Sequence, residues 1–210
     1  MTVPKEQPVA FIIDDDATVR ESVADLLSSV GVAARTFGST REFLDSTRPN
    51  SPGCIVLDVR LPGPSGLEFQ SSLVRSGVDL PVIFITGHGD IPMSVRAMKS
   101  GAVEFLTKPL REQELLDAVH LGIERDRVRR RQAKLVAELR ERLASLTARE
   151  QEVLPLVIRG RLSKQIAHEL RLSENTVKVH RSQIMRKMSA ASIVDLVRMA
   201  EHLGVSPAGS

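Results

Sequence analysis

The sequence predicts two folded parts, an α/β half built on a five-stranded parallel sheet and an all-α half of four short helices, joined by a long linker helix. In the first half, short and continuously apolar runs alternate with segments of helical periodicity, which is typical of a parallel sheet covered by helices on both faces. In the second half the hydrophobic pattern is helical throughout, with a good N-cap residue before each segment.

Five apolar runs predict the strands of the sheet: Val9–Ile13, Ala33–Phe37, Cys54–Leu57, Val82–Ile85 and Val103–Leu106. Gly31, Gly77 and Gly101 stand where intervening helices should end, because glycine readily adopts the left-handed conformation of a helix C-terminus. In sheets of this kind, sites form at the carboxyl ends of the strands. The residues that come just after each run are therefore the candidates for function.

Residues 111–145 predict a long helix, or two nearly continuous ones, because they are rich in strong helix formers and contain one glycine and no proline. Leu135, Leu139 and Leu143 form one stripe along it. This stripe would either pair with another subunit or lie on a solvated helix that carries ion pairs such as Glu138–Arg142.

The four helices of the second half are marked by their capping residues. The candidate N-caps are Thr147, Ser163, Ser173 and Ser192. Thr147 is followed by Glu150 at the spacing of a capping box. The apolar positions predicted to form the core are Val153, Leu156, Ile166, Ala167, Leu170, Val177, Ile184 and Leu196. Pro155 should kink the first of these helices, because it removes a backbone hydrogen bond.

The charge of the chain is divided along its length. Residues 1–123 carry 11 basic and 16 acidic residues (net −5), residues 124–145 carry 8 and 4 (net +4), and residues 146–210 carry 10 and 6 (net +4). An acidic domain suits a metal ion and a basic one suits nucleic acid, although two surfaces of ordinary charge would look the same. All six aromatic residues are phenylalanines of the first half, so the basic half has no rings on which to stack unpaired bases.

The remaining composition concerns the compartment. A single cysteine excludes an intramolecular disulfide and fits a reducing environment. No apolar run approaches the ~20 residues that cross a bilayer, and the N-terminus shows no basic region followed by an apolar stretch. We therefore expect a soluble, cytoplasmic protein with no membrane partner.

Polar residues follow the predicted strands. The first strand ends in Asp14, Asp15 and Asp16, the third in Asp58, the fourth in Thr86, and the fifth leads into Lys108. Consecutive carboxylates are costly unless a cation compensates them, and Mg²⁺, or Mn²⁺ in its place, is a natural partner. Asp58 could then attack phosphorus as a nucleophile, with Thr86 and Lys108 contacting the transferred group. Each residue alone would more often be a turn or cap, but together they indicate a site.

The segments FIIDDD, CIVLDVRLPGPSG, VIFITGHGD and VEFLTKP resemble the signature segments of two-component receiver domains, over residues 8–122 without a large gap. The resemblance implies a flavodoxin-like doubly wound fold with Asp58 as the phosphoryl acceptor and Lys108 holding the phosphoryl group. The metal ligands it implies are Asp14, Asp15, Asp58 and the backbone carbonyl of Arg60. Asp16 lies outside this set, and the Lys108-Pro109 peptide is commonly cis in the family.

The same resemblance implies a switch. On phosphorylation of Asp58, Thr86 would move inward and Phe105 would fill the space that it leaves. This change would remodel the face near Met93–Met98, where relatives commonly dimerise. The phosphoryl donor would be a sensor histidine kinase, so that the chain is a regulator and not an enzyme.

A second resemblance competes for the first half. FIIDDDATV is also similar to the first motif of haloacid-dehalogenase phosphatases, and Thr86 and Lys108 would fit their second and third motifs. That family needs a later acidic pair, where this chain has only scattered acids such as Asp117 and Asp126. It also gives Asp58 no role and leaves the basic C-terminus unexplained.

The segment 174–188 predicts a helix with a basic outer face. Its buried stripe is Val177, Ile184 and Met188, and the opposite face carries Val179, Ser182 and Arg186, flanked by Lys178 and Gln183. A polar and basic face on the penultimate helix of a small bundle suits the major groove of DNA, although taken alone it is more often solvated surface.

The stretches LTAREQEVL and SKQIAHELRLSENTVKVHRSQIMRKM closely resemble the LuxR-type helix-turn-helix of the NarL/FixJ response regulators, over residues 143–204. The resemblance implies base contacts from Lys178, Val179 and Ser182. The candidates for phosphate contacts are Thr176, Lys164, Arg186 and Lys187. Ser182 is shorter than the basic residue of some relatives, which leaves the base preference there open.

Together, the two resemblances predict a DNA-binding transcriptional response regulator. Residues 1–122 would form the phosphoacceptor receiver domain, 123–142 the helical linker and 143–210 the DNA-binding domain. Its partners would be a histidine kinase, double-stranded promoter DNA, RNA polymerase and, on phosphorylation, a second copy. A regulator of this architecture that works without phosphorylation stays open, since intact motifs do not prove their use.

Overall fold

The computed structural model describes residues 7–63, 65–87 and 89–205, apart from the side chain of Val74. The chain divides into two compact units at Arg130/Arg131. Within the described ranges, no helix is long and apolar enough to cross a membrane.

The first unit is built on a five-stranded sheet, as predicted. Its strands are β1 (Val9–Ile13), β2 (Ala33–Phe37), β3 (Gly53–Asp58), β4 (Val82–Thr86) and β5 (Glu104–Thr107). All neighbours are parallel, in the order β2-β1-β3-β4-β5 of flavodoxin-like folds. Several strand ends differ from the prediction by one residue. β3 also includes Gly53 and Asp58, and β4 also includes Thr86. β5 is shifted to Glu104–Thr107, because its pairing with β4 begins at Glu104 and leaves Val103 outside.

Helices cover both faces of the sheet. They are α1 (Ala17–Ser29), α2 (Thr40–Asp45), α3 (Gly66–Arg75), α4 (Ile91–Lys99) and α5 (Glu112–Ala144). Successive strand residues point to opposite faces. Phe11 and Ile13 of β1 therefore join the core beneath α2, α3 and α4, whereas Ala10 and Ile12 join the core beneath α1 and α5. Both sides of the sheet are buried, so its functional groups lie at the carboxyl edge.

Three predicted helix ends are confirmed by the backbone. Gly31, Gly77 and Gly101 have φ values of 79°, 68° and 86°, in the left-handed region that glycine adopts without strain.

Helix α5 is a single helix of 33 residues, roughly 50 Å long. The predicted domain boundaries after residues 122 and 142 both lie inside it, and they stay predictions.

Most of the leucine stripe packs within the second unit, which corrects its interpretation as a solvated or intersubunit face. Leu139 is buried, and Leu143 packs against the core of that unit, whereas Leu135 is exposed. Arg142 donates to the carbonyl oxygen of Met188 at 3.2 Å, so it is bound within its own unit.

The second unit contains the four predicted helices: α6 (Ala148–Ile158), α7 (Ser163–Leu170), α8 (Glu174–Met188) and α9 (Ile193–His202). Seven of the eight predicted core residues are buried, and Leu170 is half-buried at the edge of the core. Helix α6 runs unbroken through Pro155, and the kink predicted there stays a prediction.

The caps of these helices follow the sequence with one exception. The N-caps Thr147, Ser173 and Ser192 accept backbone N–H groups as predicted, and Thr147 forms its capping box with Glu150. The prediction for Ser163 was wrong, because Ser163 is the first residue of α7 and Leu162 precedes it as the N-cap. The Leu162 N–H is satisfied by the Gln165 side-chain oxygen at 2.9 Å. The N-cap residue Leu162 has no side-chain hydroxyl for capping, but its backbone N–H is satisfied by the Gln165 side chain three residues later.

Candidate functional site

The acidic run after β1 is shaped by hydrogen bonds of its own loop. Asp14 is fully buried, and its N–H donates to the Phe37 carbonyl at the end of β2 at 3.2 Å. Its Oδ1 accepts the Asp16 N–H at 2.9 Å. The Asp16 side chain accepts from the Thr18 N–H at 2.8 Å as the N-cap of α1. Asp14 therefore faces the interior, Asp15 lies exposed beside it, and Asp16 serves the helix.

Asp58 ends β3 in a buried position at the same edge of the sheet. Its Oδ1 accepts the Arg60 N–H at 2.9 Å, while the side chain of Arg60 is exposed. Gly66 lies against it at the start of α3, where a Cβ would come 2.5 Å from the Asp58 carbonyl oxygen. Only glycine therefore allows α3 to begin so close to this aspartate.

Lys108 joins the two buried carboxylates. Its Nζ lies 2.6 Å from Asp14 Oδ2 and 2.7 Å from Asp58 Oδ2. Burial alone would lower the pKa of Lys108, but its hydrogen bonds to both carboxylates outweigh that and raise the pKa. Burial raises the pKa of Asp14, and the bond to Lys108 only partly offsets the rise. The Lys108-Pro109 peptide is cis.

The three carboxylates converge on one point. Asp14, Asp15 and Asp58 each offer an oxygen, and these atoms lie within 4.8 Å of one another. Lys108 supplies one positive charge against their three negative charges, so negative charge remains in the group. Hard oxygen donors with excess negative charge are the ligands that Mg²⁺ and Mn²⁺ prefer. The group therefore fits a divalent cation.

Thr86 and Phe105 are brought together beside this group. Thr86 is fully buried at the end of β4, and Phe105 is half-buried on β5, its ring centroid 6.3 Å from that of Phe84. Gly89 shows how close they are. A Cβ there would come 2.8 Å from the Phe105 ring and 3.1 Å from the Thr86 methyl group.

The outer face of α8 lies in solvent. Val177, Ile184 and Met188 are buried, whereas Lys178, Val179 and Ser182 are exposed. Lys178 Nζ pairs with Glu174 Oε1 one turn earlier at 2.9 Å. An exposed pair of this kind contributes little to stability, so the ammonium is free to exchange partners.

The four phosphate-contact candidates differ in their surroundings. Lys164 and Arg186 are exposed, and Arg186 donates to the Gln183 side-chain oxygen at 2.6 Å. Thr176 is half-buried, and its hydroxyl lies 2.7 Å from that of Ser173.

Lys187, the fourth candidate, is bound within its own unit. Its Nζ donates to Glu150 Oε2 at 2.7 Å and to the Ser145 carbonyl at 3.2 Å. Glu150 is buried, which on its own would raise its pKa. The Lys187 ammonium and the Thr147 N–H outweigh burial and lower the pKa of Glu150. Lys187 thus ties α8 to the start of α6.

Two residues of structural importance were missed by the sequence reasoning. Asp126, noted only as a scattered acid, is fully buried, and its carboxylate accepts from Arg129, Arg130 and the Gly53 N–H. The sequence does carry a signal for this role, because Arg129 and Arg130 lie three and four residues after Asp126, the spacing of ion pairs along a helix. Arg20 was not singled out, yet its Nη1 donates to the Asp14 carbonyl oxygen at 2.6 Å.

Comparisons with known proteins agree with this geometry. Residues 10–120 match the response regulator receiver domain, and residues 144–200 match the bacterial regulatory proteins of the luxR family. The chain is 52% identical to nodulation protein W of Bradyrhizobium diazoefficiens, over 98% of this chain and 90% of that protein. It is 50% identical to response regulator protein TodT of Pseudomonas putida, over 93% and 86%. The solved structure of response regulator StyR is similar with a TM-score of 0.83 and 49% identity, covering 93% of this chain and 98% of that one.

Proposed function

The chain belongs to the two-component response regulators of the NarL/FixJ family, with a receiver domain followed by a LuxR-type DNA-binding domain, and on this basis we propose that it is a transcription factor switched by phosphorylation of Asp58. Its relatives are regulators, so the chain is a regulator and not a phosphatase.

The observation that carries the proposal is the placement of Asp58 between two donors. One carboxylate oxygen accepts the Arg60 N–H and the other accepts Lys108 Nζ. A carboxylate needs no base to become a nucleophile. An Asp58 oxygen would bond to the phosphorus of a phosphohistidine on the kinase as the P–N bond breaks, and the electron pair would leave on the imidazole. Lys108 would neutralise charge on the transferred group.

A divalent cation, Mg²⁺ or Mn²⁺, is part of the proposal. Asp14, Asp15, Asp58 and the backbone carbonyl of Arg60 would hold it. When bound, such an ion neutralises charge on the phosphoryl oxygens and orients the group for transfer. The convergence of three carboxylate oxygens within 4.8 Å supports this assignment.

The output of the switch would be a dimer. Thr86 would move toward the phosphoryl group and Phe105 would follow it, as the proximity of both to Gly89 supports. The neighbouring helix α4 carries the proposed dimer face at Met93–Met98. Within this segment Val95 and Met98 are each 44% exposed, and Ile91, just before it at the start of α4, is 80% exposed. Burying such side chains against a second copy would be favourable.

The second unit would read DNA through α8. Lys178 would donate to guanine edges, Val179 would contact a thymine methyl group, and Ser182 would face the bases as well. Phosphate contacts would come from Thr176, Lys164, Arg186 and Lys187. We expect the smallest share from Lys187, because Glu150 engages its ammonium. A dimer on paired half-sites would then contact RNA polymerase. We propose a cytoplasmic location, because promoter DNA and the polymerase would be met there.

Intact-mass analysis of the full chain after incubation with acetyl phosphate and Mg²⁺ tests the proposal. We expect a single phosphoryl adduct on the wild type, none on Asp58→Asn, and a shift to dimer in size-exclusion chromatography only for the phosphorylated wild type. An adduct that persists in Asp58→Asn would remove Asp58 from its role. If Asp58→Asn bound promoter DNA and activated transcription as well as the phosphorylated wild type, regulation without phosphorylation would replace the proposal.

A further inference from the structure

We propose that Arg20, on α1, is a positioning residue for the divalent cation, which holds the peptide between Asp14 and Asp15 so that their carboxylates converge. The inference rests on the proposed function, because it assumes that these carboxylates bind the cation. Arg20 itself would contact neither the cation nor the phosphoryl group.

The contact that carries the inference is short and well placed. Arg20 Nη1 donates to the backbone carbonyl oxygen of Asp14 at 2.6 Å. That carbonyl belongs to the peptide unit whose nitrogen is Asp15, so the bond fixes the plane of this unit. The N–H of Asp14, on the other side of the residue, is already fixed by the Phe37 carbonyl. The peptide on the far side of Asp15 is held by the Asp16 N–H bond to Asp14 Oδ1 at 2.9 Å. Arg20 therefore supplies the restraint on the near side, and the two bonds together set the direction in which the Asp15 side chain leaves the loop.

Asp15 depends on this restraint more than the other two carboxylates do. Asp14 and Asp58 are buried and bonded to Lys108, whereas Asp15 is exposed. An exposed side chain pays rotamer entropy when a ligand orders it. A fixed peptide plane leaves that side-chain cost unchanged but removes the backbone cost of ordering, because the Cα–Cβ bond already points toward the other carboxylates.

The guanidinium group of Arg20 lies next to the Gly38 backbone, which the Glu42 carboxylate also contacts. Its Nη1 lies 3.8 Å from the position that a Cβ would take at Gly38, and Glu42 Oε2 lies 3.7 Å from the same position. Glu42 Oε2 in turn accepts the Gly38 N–H at 2.8 Å. A planar group with several donors keeps one geometry in such a corner better than an ammonium does.

The sign of the effect separates positioning from charge. Arg20 is a cation beside a cation site, so through its charge alone it repels the metal ion. If it acted only electrostatically, its removal would strengthen cation binding. If it positions Asp15, its removal weakens binding despite the lost repulsion.

The affinity of the full chain for Mn²⁺ shows which of the two effects operates. It can be measured from the electron paramagnetic resonance signal of the Mn²⁺ that stays free. We expect Arg20→Met to weaken Mn²⁺ binding about 10-fold, as for other residues that orient metal ligands. Arg41→Met is the matched control, because Arg41 is highly exposed on α2 and pairs only loosely with Asp45 at 3.8 Å. Its affinity should equal that of the wild type. Unchanged or tighter binding by folded Arg20→Met overturns the inference.

Two further variants keep the test decisive if Arg20→Met does not fold. Arg20→Gln retains an amide donor and Arg20→Lys retains the charge, and circular dichroism melting shows whether each is folded. Both should bind Mn²⁺ more weakly than the wild type, and wild-type affinity in both would contradict a positioning role. The Mg²⁺ dependence of Asp58 phosphorylation gives a second readout. The half-saturating Mg²⁺ concentration should rise while the plateau rate is kept, and the reverse pattern would overturn the inference.

The same experiment separates the inference from its premise. Wild-type protein that binds no Mn²⁺ would refute the metal site and the inference with it. Wild-type binding that Arg20→Met retains in full would refute the role of Arg20 alone.

Discussion

Replacement of Asp126 by asparagine should destabilise the first unit substantially. The carboxylate is completely buried and accepts from the Gly53 N–H at 2.9 Å and from the guanidinium groups of Arg129 and Arg130. Removing one partner of a buried ion pair costs about 3–5 kcal/mol, because the other charge is left uncompensated. The arginine side chains are 38% and 28% exposed, so water can compensate part of the loss. We therefore expect a loss of about 2–4 kcal/mol in the free energy of unfolding.

Urea unfolding of the full chain, followed by circular dichroism, measures this loss, and hydrogen exchange of the β3 amides assigns it to the first unit. Asp117→Asn is the matched control, because Asp117 is exposed on the same helix and accepts from the Gln113 side chain. It should change the free energy of unfolding by less than about 0.5 kcal/mol. Equal effects of the two substitutions, or a loss below about 1 kcal/mol in Asp126→Asn, would refute the reasoning.

Three other predictions concern single side chains. The pKa of Glu150 is lowered by Lys187, so its contribution to stability is present above its ordinary pKa of 4.5 and is lost as the pH falls through the lowered value. The stability gap between wild type and Glu150→Gln in urea unfolding should therefore be large at pH 7 and close in acid, and a gap independent of pH would contradict the pairing. Burial and a neighbouring carboxylate raise the pKa of Cys54 to about 12, so a thiol reagent at pH 8 should label the native chain at least about 10-fold more slowly than the unfolded chain; rapid labelling without unfolding would show that the side chain is accessible. Lys178→Ala should weaken binding to a duplex selected by the wild type by about 1–3 kcal/mol and relax the sequence preference, whereas Lys99→Ala, with the same change in charge, should not; an equal loss in both would reduce the role of α8 to general electrostatics.

The sheet could be predicted because its signal is local. Runs such as Val9–Ile13 are apolar without alternation, and only strands covered on both faces need such runs. The ends were less certain, since pairing with a neighbour decides whether a residue such as Val103 or Thr86 belongs to a strand. The helix starts were also uncertain, because a residue without a capping side chain can be the N-cap when a later side chain accepts its N–H. Gln165 does this for Leu162.

Much of the candidate site could be predicted for a related reason. In a parallel sheet the carboxyl ends of the strands share one edge, so Asp14, Asp58 and Lys108 were expected together before any distance was known. The structure adds two facts that sequence spacing cannot supply. The Lys108 ammonium bonds to both Asp14 and Asp58, and Asp15 is the exposed one of the three converging carboxylates.

Other roles lay outside the reach of sequence reasoning because distant residues create them. In the sequence Asp126 is one acidic residue in a basic helix, and only the structure shows that it is buried and accepts the Gly53 N–H. Lys187 looks like surface charge until Glu150, 37 residues earlier, is placed against it. Leu139 likewise appears solvated until the second unit buries it. In each case the local sequence pattern is ordinary, and a residue distant in sequence determines the role of the side chain.

The bond pattern of Lys108 also bears on protein quality control. Its partners lie 94 and 50 residues away along the chain, one at the end of the first strand and the other at the end of the third. Contacts of such long range form only when the intervening chain has been ordered. A nascent, truncated or misassembled first unit therefore lacks the lysine-bridged carboxylate pair altogether. If Asp58 and Lys108 act as proposed, only a completely folded first unit would accept the phosphoryl group, and a damaged copy would give no signal.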